Sequence, residues 1–185
     1  MGLMTAEKRI RILGIDPGFG SLGWGLIEAG AELECLGAGV IRTKPDKTEK
    51  KCDDNLNRCA YIAERLAEIH DANDFAFIAC EAQSWTRFAN ADRAVAMAFG
   101  VLGAVAHRYG CPIIQIRPQD VKKILVGKLT ASKEEVQALI ESRAAHAGMH
   151  LAGLPKTQQN HAADALAVAL ASLTSPLIKT VRRMA

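Results

Sequence analysis

Apolar positions follow two rhythms along this chain: short aliphatic runs of strand length, and longer stretches in which apolar residues recur at helical spacing. Residues 9–15 alternate charge and apolarity, then become uniformly aliphatic, which predicts a strand that enters a core and ends by delivering Asp16. Pro17 and Gly18 force a turn. Residues 24–28 and 33–41 read as two more strands joined at Ala29-Gly30-Ala31, so the chain opens with a three-strand antiparallel meander. Residues 44–54 are dense in charge and lack any period, which predicts a solvated loop. Leu56, Cys59, Ile62, Ala63, Leu66 and Ile69 then fall on one helical face over 56–70, an amphipathic helix covering one side of the sheet.

Residues 75–80 form a continuous apolar run, as a strand buried on both faces requires, and this strand also ends on an acid, Glu81. A polar and aromatic loop over 82–89 leads into a helix over 90–109 that is apolar on every side and needs cover from more than the sheet. A second subunit is the simplest cover; a neighbouring helix of the same chain is the alternative. Residues 111–116 read as another strand. Arg117-Pro118-Gln119-Asp120 opens a helix that Gly127 ends, and Thr130 or Ser132 caps a further helix running toward Ala147. Residues 151–159 read as a loop, and Asn160 caps a closing helix over 161–173 whose alanines let it lie flat on the sheet. Ser175 and Pro176 break that helix, leaving a basic tail over 175–185 that contains Lys179, Arg182 and Arg183.

Composition narrows this picture without changing it. With 185 residues, 49% apolar and 23% charged, the chain is expected to form one domain over 1–185 around a full core. No apolar run is long enough to span a bilayer, and the first residues lack the apolar stretch of a signal peptide, so a cytoplasmic protein with no membrane partner is expected. The five cysteines include no CxxC pair, which argues for reduced thiols rather than disulfides or zinc. A formal net charge of +3 does not establish a polyanionic partner. Lys122, Lys123, Lys128 and Lys133 nevertheless cluster around one helix junction, where they serve either as solvated surface or as a hold on a phosphate backbone.

The candidate chemistry lies in Asp16 and Glu81 at strand ends and in His161 and Asp164 on one helix face. Singly, each has an ordinary explanation as a turn residue, a strand-end acid, a partly buried imidazole or a helix acid. Jointly they mass three carboxylates and an imidazole with no evident cationic partner, and a bound divalent cation or a raised pKa resolves such repulsion.

The segments ILGIDPGFGSLGWGLIE, FIACEAQSW, NADRAVAM, VKKILVGKLTASKEEV and NHAADALAVALAS resemble, in order and over nearly the whole chain, the RuvC family of Holliday-junction resolvases. The resemblance implies an α/β ribonuclease H-like fold: a five-stranded mixed sheet, its first three strands antiparallel, flanked by helices on both faces. It implies a metal-dependent endodeoxyribonuclease that resolves four-way junctions by paired symmetric nicks, leaving 5′-phosphates and 3′-hydroxyls. Asp16, Glu81 and Asp164 match the family's catalytic carboxylates, and His161 stands where many members have aspartate and some have histidine. Two Mg²⁺ ions per site are expected, roughly 3.5 to 4 Å apart, with Mn²⁺ substituting readily because of the imidazole. Protonation of His161 is expected to end activity in mildly acidic buffer.

Further expectations follow from the same resemblance. Lys122 and Lys133 correspond to basic residues that touch DNA, with Arg87, Lys123 and Lys128 as additional candidates. The family also places an aromatic wedge shortly after the glutamate. This chain offers Trp85 and Phe88 on a loop about two residues longer than the family's, with Trp85 the preferred choice. A homodimer is expected, with a branch-migration motor as a candidate partner. Competing readings are a ribonuclease H-like nuclease acting on other branched DNA or on RNA, and a non-catalytic junction-binding protein. A nucleotide-binding module of the actin-like kinase kind is the alternative from a different class; such proteins need two related domains, which 185 residues are not expected to hold.

Overall fold

A computed structural model of the chain describes residues 9–82 and 89–184, apart from the side chains of 89–92. Its centre is β1 (Ile10–Asp16), flanked on one side by β2 (Ser21–Ala29) and β3 (Leu33–Arg42), and on the other by β4 (Phe77–Glu81) and β5 (Ile113–Ile116). The strand order is β3-β2-β1-β4-β5. β1, β2 and β3 pair antiparallel, as the sequence predicts, whereas β4 runs parallel to β1 and β5 parallel to β4.

The period of two along each strand divides the core between the two faces. Leu13, Ile15, Ile78 and Cys80 point to the side covered by α1 (Lys51–Asn73) and α2 (Ala89–Tyr109), where Ile62, Leu66 and Leu102 are fully buried. Ile12, Phe77 and Ala79 point to the other side, against α6 (Lys156–Ser172) and the shorter α3 (Pro118–Val126), α4 (Lys133–Arg143) and α5 (Ala147–Ala152). Helices therefore lie on both faces of a five-stranded mixed sheet.

The seating of α6 is dictated by glycine. A methyl group at Gly14 would overlap the Ala165 carbonyl, and one at Gly23 would overlap the His161 carbonyl. Only a strand surface without side chains at these points lets an alanine-rich helix lie this close to the sheet.

Several element ends differ from the sequence expectation for local reasons. The charged segment is not all loop: α1 begins at Lys51, with Asp53 and Asp54 in its first turn, where acids favour the helix dipole. Asp54 is 5% exposed; it lies 3.7 Å from Arg58 and accepts the Asp46 amide at 3.0 Å. Ser132 caps α4 as anticipated, in a reciprocal box with Glu135, but α4 ends at Arg143 rather than near Ala147. The segment 151–159 holds the end of α5 and the first turn of α6, which starts at Lys156 after Pro155 rather than after an Asn160 cap. The basic tail is helical as α7 (Pro176–Arg183), with Ile178 buried and the Arg182 guanidinium donating to the Gly30 carbonyl at 3.1 Å. Among the described residues no single helix is long and apolar enough to cross a membrane.

Candidate active site

Because β1 and β4 are adjacent and parallel, with Ile15 paired to Cys80, their terminal acids Asp16 and Glu81 emerge side by side at one edge of the sheet. Strand alternation turns both toward the face that carries α6. The second turn of α6 passes over Gly23, the residue paired with Asp16, and so brings His161 to that edge with Asp164 one turn further on. The four residues singled out in the sequence meet there.

Their contacts define the site. His161 Nδ1 lies 2.7 Å from Asp16 Oδ2. A carboxylate can only accept, so Nδ1 carries the proton of this bond and Nε2 takes no part in it. Lys133, at the first position of α4, places its Nζ 3.3 Å from Asp164 Oδ2. Glu81 is pushed up to about 7 by burial first, then by the negative charges of Asp16 and Asp164, against the opposing pull of Lys133 and Lys122. Asp16 is also raised, mainly by burial and further by Asp164, although the His161 hydrogen bond opposes the shift. Three carboxylates therefore stand in one another's field.

These residues fit divalent cations by donor chemistry, since three carboxylates and one imidazole repel until a cation joins them. Their donor atoms do not form a closed ligand sphere. Among the described residues, no three His, Cys, Asp or Glu side chains converge on one point.

Of the predicted basic residues, Lys122 and Lys133 act on the carboxylates of the site. Lys122 is half-buried on α3 within electrostatic reach of Glu81. Lys123 is exposed beside β5, and Lys128 is paired with Glu135 at 3.2 Å. Trp85, Arg87 and Phe88 lie outside the described residues. Sequence reasoning missed the cation beside Asp164, because Lys133 is far from it in the chain and nothing in its spacing announces the contact. It also missed the anchor behind the Asp16 turn. There the Thr43 hydroxyl donates to the Phe19 carbonyl at 2.5 Å and accepts from Arg58 Nε at 3.0 Å, while the guanidinium lies 4.2 Å from the Phe19 ring centre.

A central strand with antiparallel neighbours on one side and parallel ones on the other, ending in an acid beside a second acid-ended strand and a helix that brings a third acid, defines a ribonuclease H-like nuclease fold. Residues 12–172 match the family described as crossover junction endodeoxyribonuclease RuvC, and the chain belongs to that family. A crossover junction endodeoxyribonuclease RuvC from Synechococcus sp. (strain WH7803) is 36% identical over 162 residues, covering 87% of this chain and 96% of the relative. The structure of Thermus thermophilus RuvC in complex with Holliday junction substrate superposes with a TM-score of 0.76 at 29% identity, covering 93% of this chain and 97% of that one. The yeast mitochondrial Holliday junction resolvase Ydc2 shares the fold at 13% identity, with a TM-score of 0.66 over 95% of this chain and 86% of that one. Nucleases of the RuvC family are metal-dependent.

Proposed function

We propose that this chain is a structure-selective endodeoxyribonuclease that resolves four-way DNA junctions by paired symmetric nicks, with Asp16, Glu81, His161 and Asp164 as its metal-holding catalytic residues. The observation that carries the reading is the meeting of three mutually repelling carboxylates and an imidazole at one sheet edge, in a chain of the RuvC family. Held by these four residues, divalent cations would supply activation of the attacking water and stabilisation of the leaving oxygen in an in-line phosphodiester displacement. Mg²⁺ would suit the oxygen donors and the imidazole would admit Mn²⁺, with two ions per site held among Asp16, Glu81, His161 and Asp164.

The chain's own residues do the rest. Asp16 fixes the tautomer of His161, leaving Nε2 to act as a ligand. Lys133, exposed at the start of its helix, leaves Asp164 to meet a non-bridging phosphate oxygen, and Lys122 adds a second positive charge on the same side. Water adds to phosphorus, the bond from phosphorus to the 3′-oxygen breaks, and the products carry a 5′-phosphate and a 3′-hydroxyl. Trp85 or Phe88 supplies an aromatic surface on which an unpaired base stacks.

A two-fold homodimer sets two such sites against symmetric strands. Gly100, Gly103 and Ala104 are exposed along α2, which supports close packing of a second copy there. A branch-migration motor is a candidate partner upstream of the nicks, and the cytoplasm is the proposed place of action.

Labelled four-way junction, fork, flap, duplex and RNA substrates, each with Mg²⁺ or Mn²⁺, test the reading. Paired symmetric nicks on the junction, absent with Asp16→Asn, are expected. Preferential cutting of forks or RNA, or junction binding without cleavage, would overturn it.

A further inference from the structure

The carboxyl edge of the sheet has a second side. α1 and α2 both begin at this edge, because each follows a strand that ends there, but they lie on the face opposite α6. Between their first turns and the turn that follows Asp16 is a groove of about 560 Å³, lined by Phe19, Gly20, Lys51, Asn55, Arg58 and Arg93 among others.

The lining contains three cations and no acid. Arg58 is only 14% exposed and is held in place from several directions: by Asp54, by the Thr43 hydroxyl, by the Phe19 carbonyl at 3.5 Å and by the Phe19 ring. Asp54 neutralises part of its charge, so Arg58 serves mainly as a fixed wall. Lys51 and Arg93 are exposed and make no ion pair among the described residues, so among those residues two positive charges line the groove without a paired acid.

We infer that this groove holds the phosphodiester backbone of the DNA strand that flanks the cleaved phosphate, with Lys51 and Arg93 each neutralising one phosphate. The inference rests on the junction-resolving function proposed above and extends its DNA path. The catalytic acids then lie between two basic banks. Lys122 and Lys133 hold the strand on the α6 face, and Lys51 and Arg93 receive it after it crosses the sheet edge over the Phe19 turn. Charge is what selects the occupant, because an open groove lined by three cations and by no acid suits a continuous polyanion more than an apolar segment. Contact on both sides of the scissile bond holds the strand taut across Asp16 and Glu81.

Binding of labelled four-way junction over a salt series, with intact wild-type protein and the double variant Lys51→Ala/Arg93→Ala, tests this. The double variant is expected to raise Kd by on the order of ten-fold near 0.1 M salt and to make the slope of log K against log salt shallower by roughly two. Lys51→Glu/Arg93→Glu is expected to weaken binding further. Arg183→Ala, which removes an exposed charge on α7 near the opposite edge, is expected to leave both quantities unchanged. Thermal melts identify any variant that has lost its fold. A wild-type Kd and slope in the folded Lys51→Ala/Arg93→Ala protein, or an equal loss in Arg183→Ala, would overturn the inference alone. Failure of the wild-type protein to bind or cut the junction would remove the proposed function and this groove's role together.

Discussion

The backbone carbonyl of His161 rests against Cα of Gly23, the residue that pairs with Asp16 in the β1–β2 ladder. The position of the imidazole is therefore set by a missing side chain on the neighbouring strand. Gly23→Ala forces α6 away from the sheet where the site is assembled. Overpacking of this kind typically costs about 1–3 kcal/mol. Junction cleavage is expected to fall by at least about ten-fold, since a displacement on the order of 1 Å misplaces reacting groups. Denaturant melts and single-turnover cleavage measure the two effects separately.

The pH dependence of the metal-free protein is expected to follow Glu81. Its carboxyl rises from 4.5 to about 7 in the fold, so the folded chain keeps a proton that the unfolded chain has lost. The penalty is absent below 4.5, grows as pH rises, and is complete above about 7. Stability without metal should therefore decline across that window, and Glu81→Gln should remove most of the decline, as urea melts at several pH values will show. Asp16, raised for the same main reason, contributes in the same direction.

Lys133 and Asp164 form an exposed pair at 3.3 Å, the kind that adds little to stability. Lys133→Ala is expected to shift Tm hardly at all while lowering junction cleavage by on the order of 10- to 100-fold, through loss of the charge-assisted bond to phosphate. Lys133→Arg should restore part of the rate. A large loss of Tm with normal cleavage would assign the lysine a structural role.

Thr43 is 8% exposed and holds the turn after Asp16 through the Phe19 carbonyl. Thr43→Val keeps its shape and leaves that carbonyl and the Arg58 Nε without this partner, an expected loss of about 1–3 kcal/mol measurable by chemical denaturation. Cleavage should fall as the Asp16 turn loosens.

The sheet and the four acidic-site residues were legible because each leaves a local mark: aliphatic runs stopping on Asp16 and Glu81, and an alanine-rich helix bearing His161 and Asp164. Helix beginnings were less so. Lys51 to Asp54 and Lys156 to Asn160 are helical first turns made of polar residues, which carry no apolar period and read as loop. α7 was hidden in the same way, since one buried residue, Ile178, fixes it to the core. Relations that depend on tertiary approach left no trace in spacing. Lys133 meets Asp164, and Arg58 meets Phe19, only because helices from distant parts of the chain end at one edge. Burial among carboxylates raises the pKa of Glu81, a shift that no spacing in the sequence announces.

Calorimetric titration of Mn²⁺ into the wild-type protein and into folded Asp16→Asn tests the metal site most directly. Two ions per chain in the wild type, with loss of at least one in Asp16→Asn, are the predicted result. Equal Mn²⁺ binding by both proteins, or none by the wild type, would contradict it.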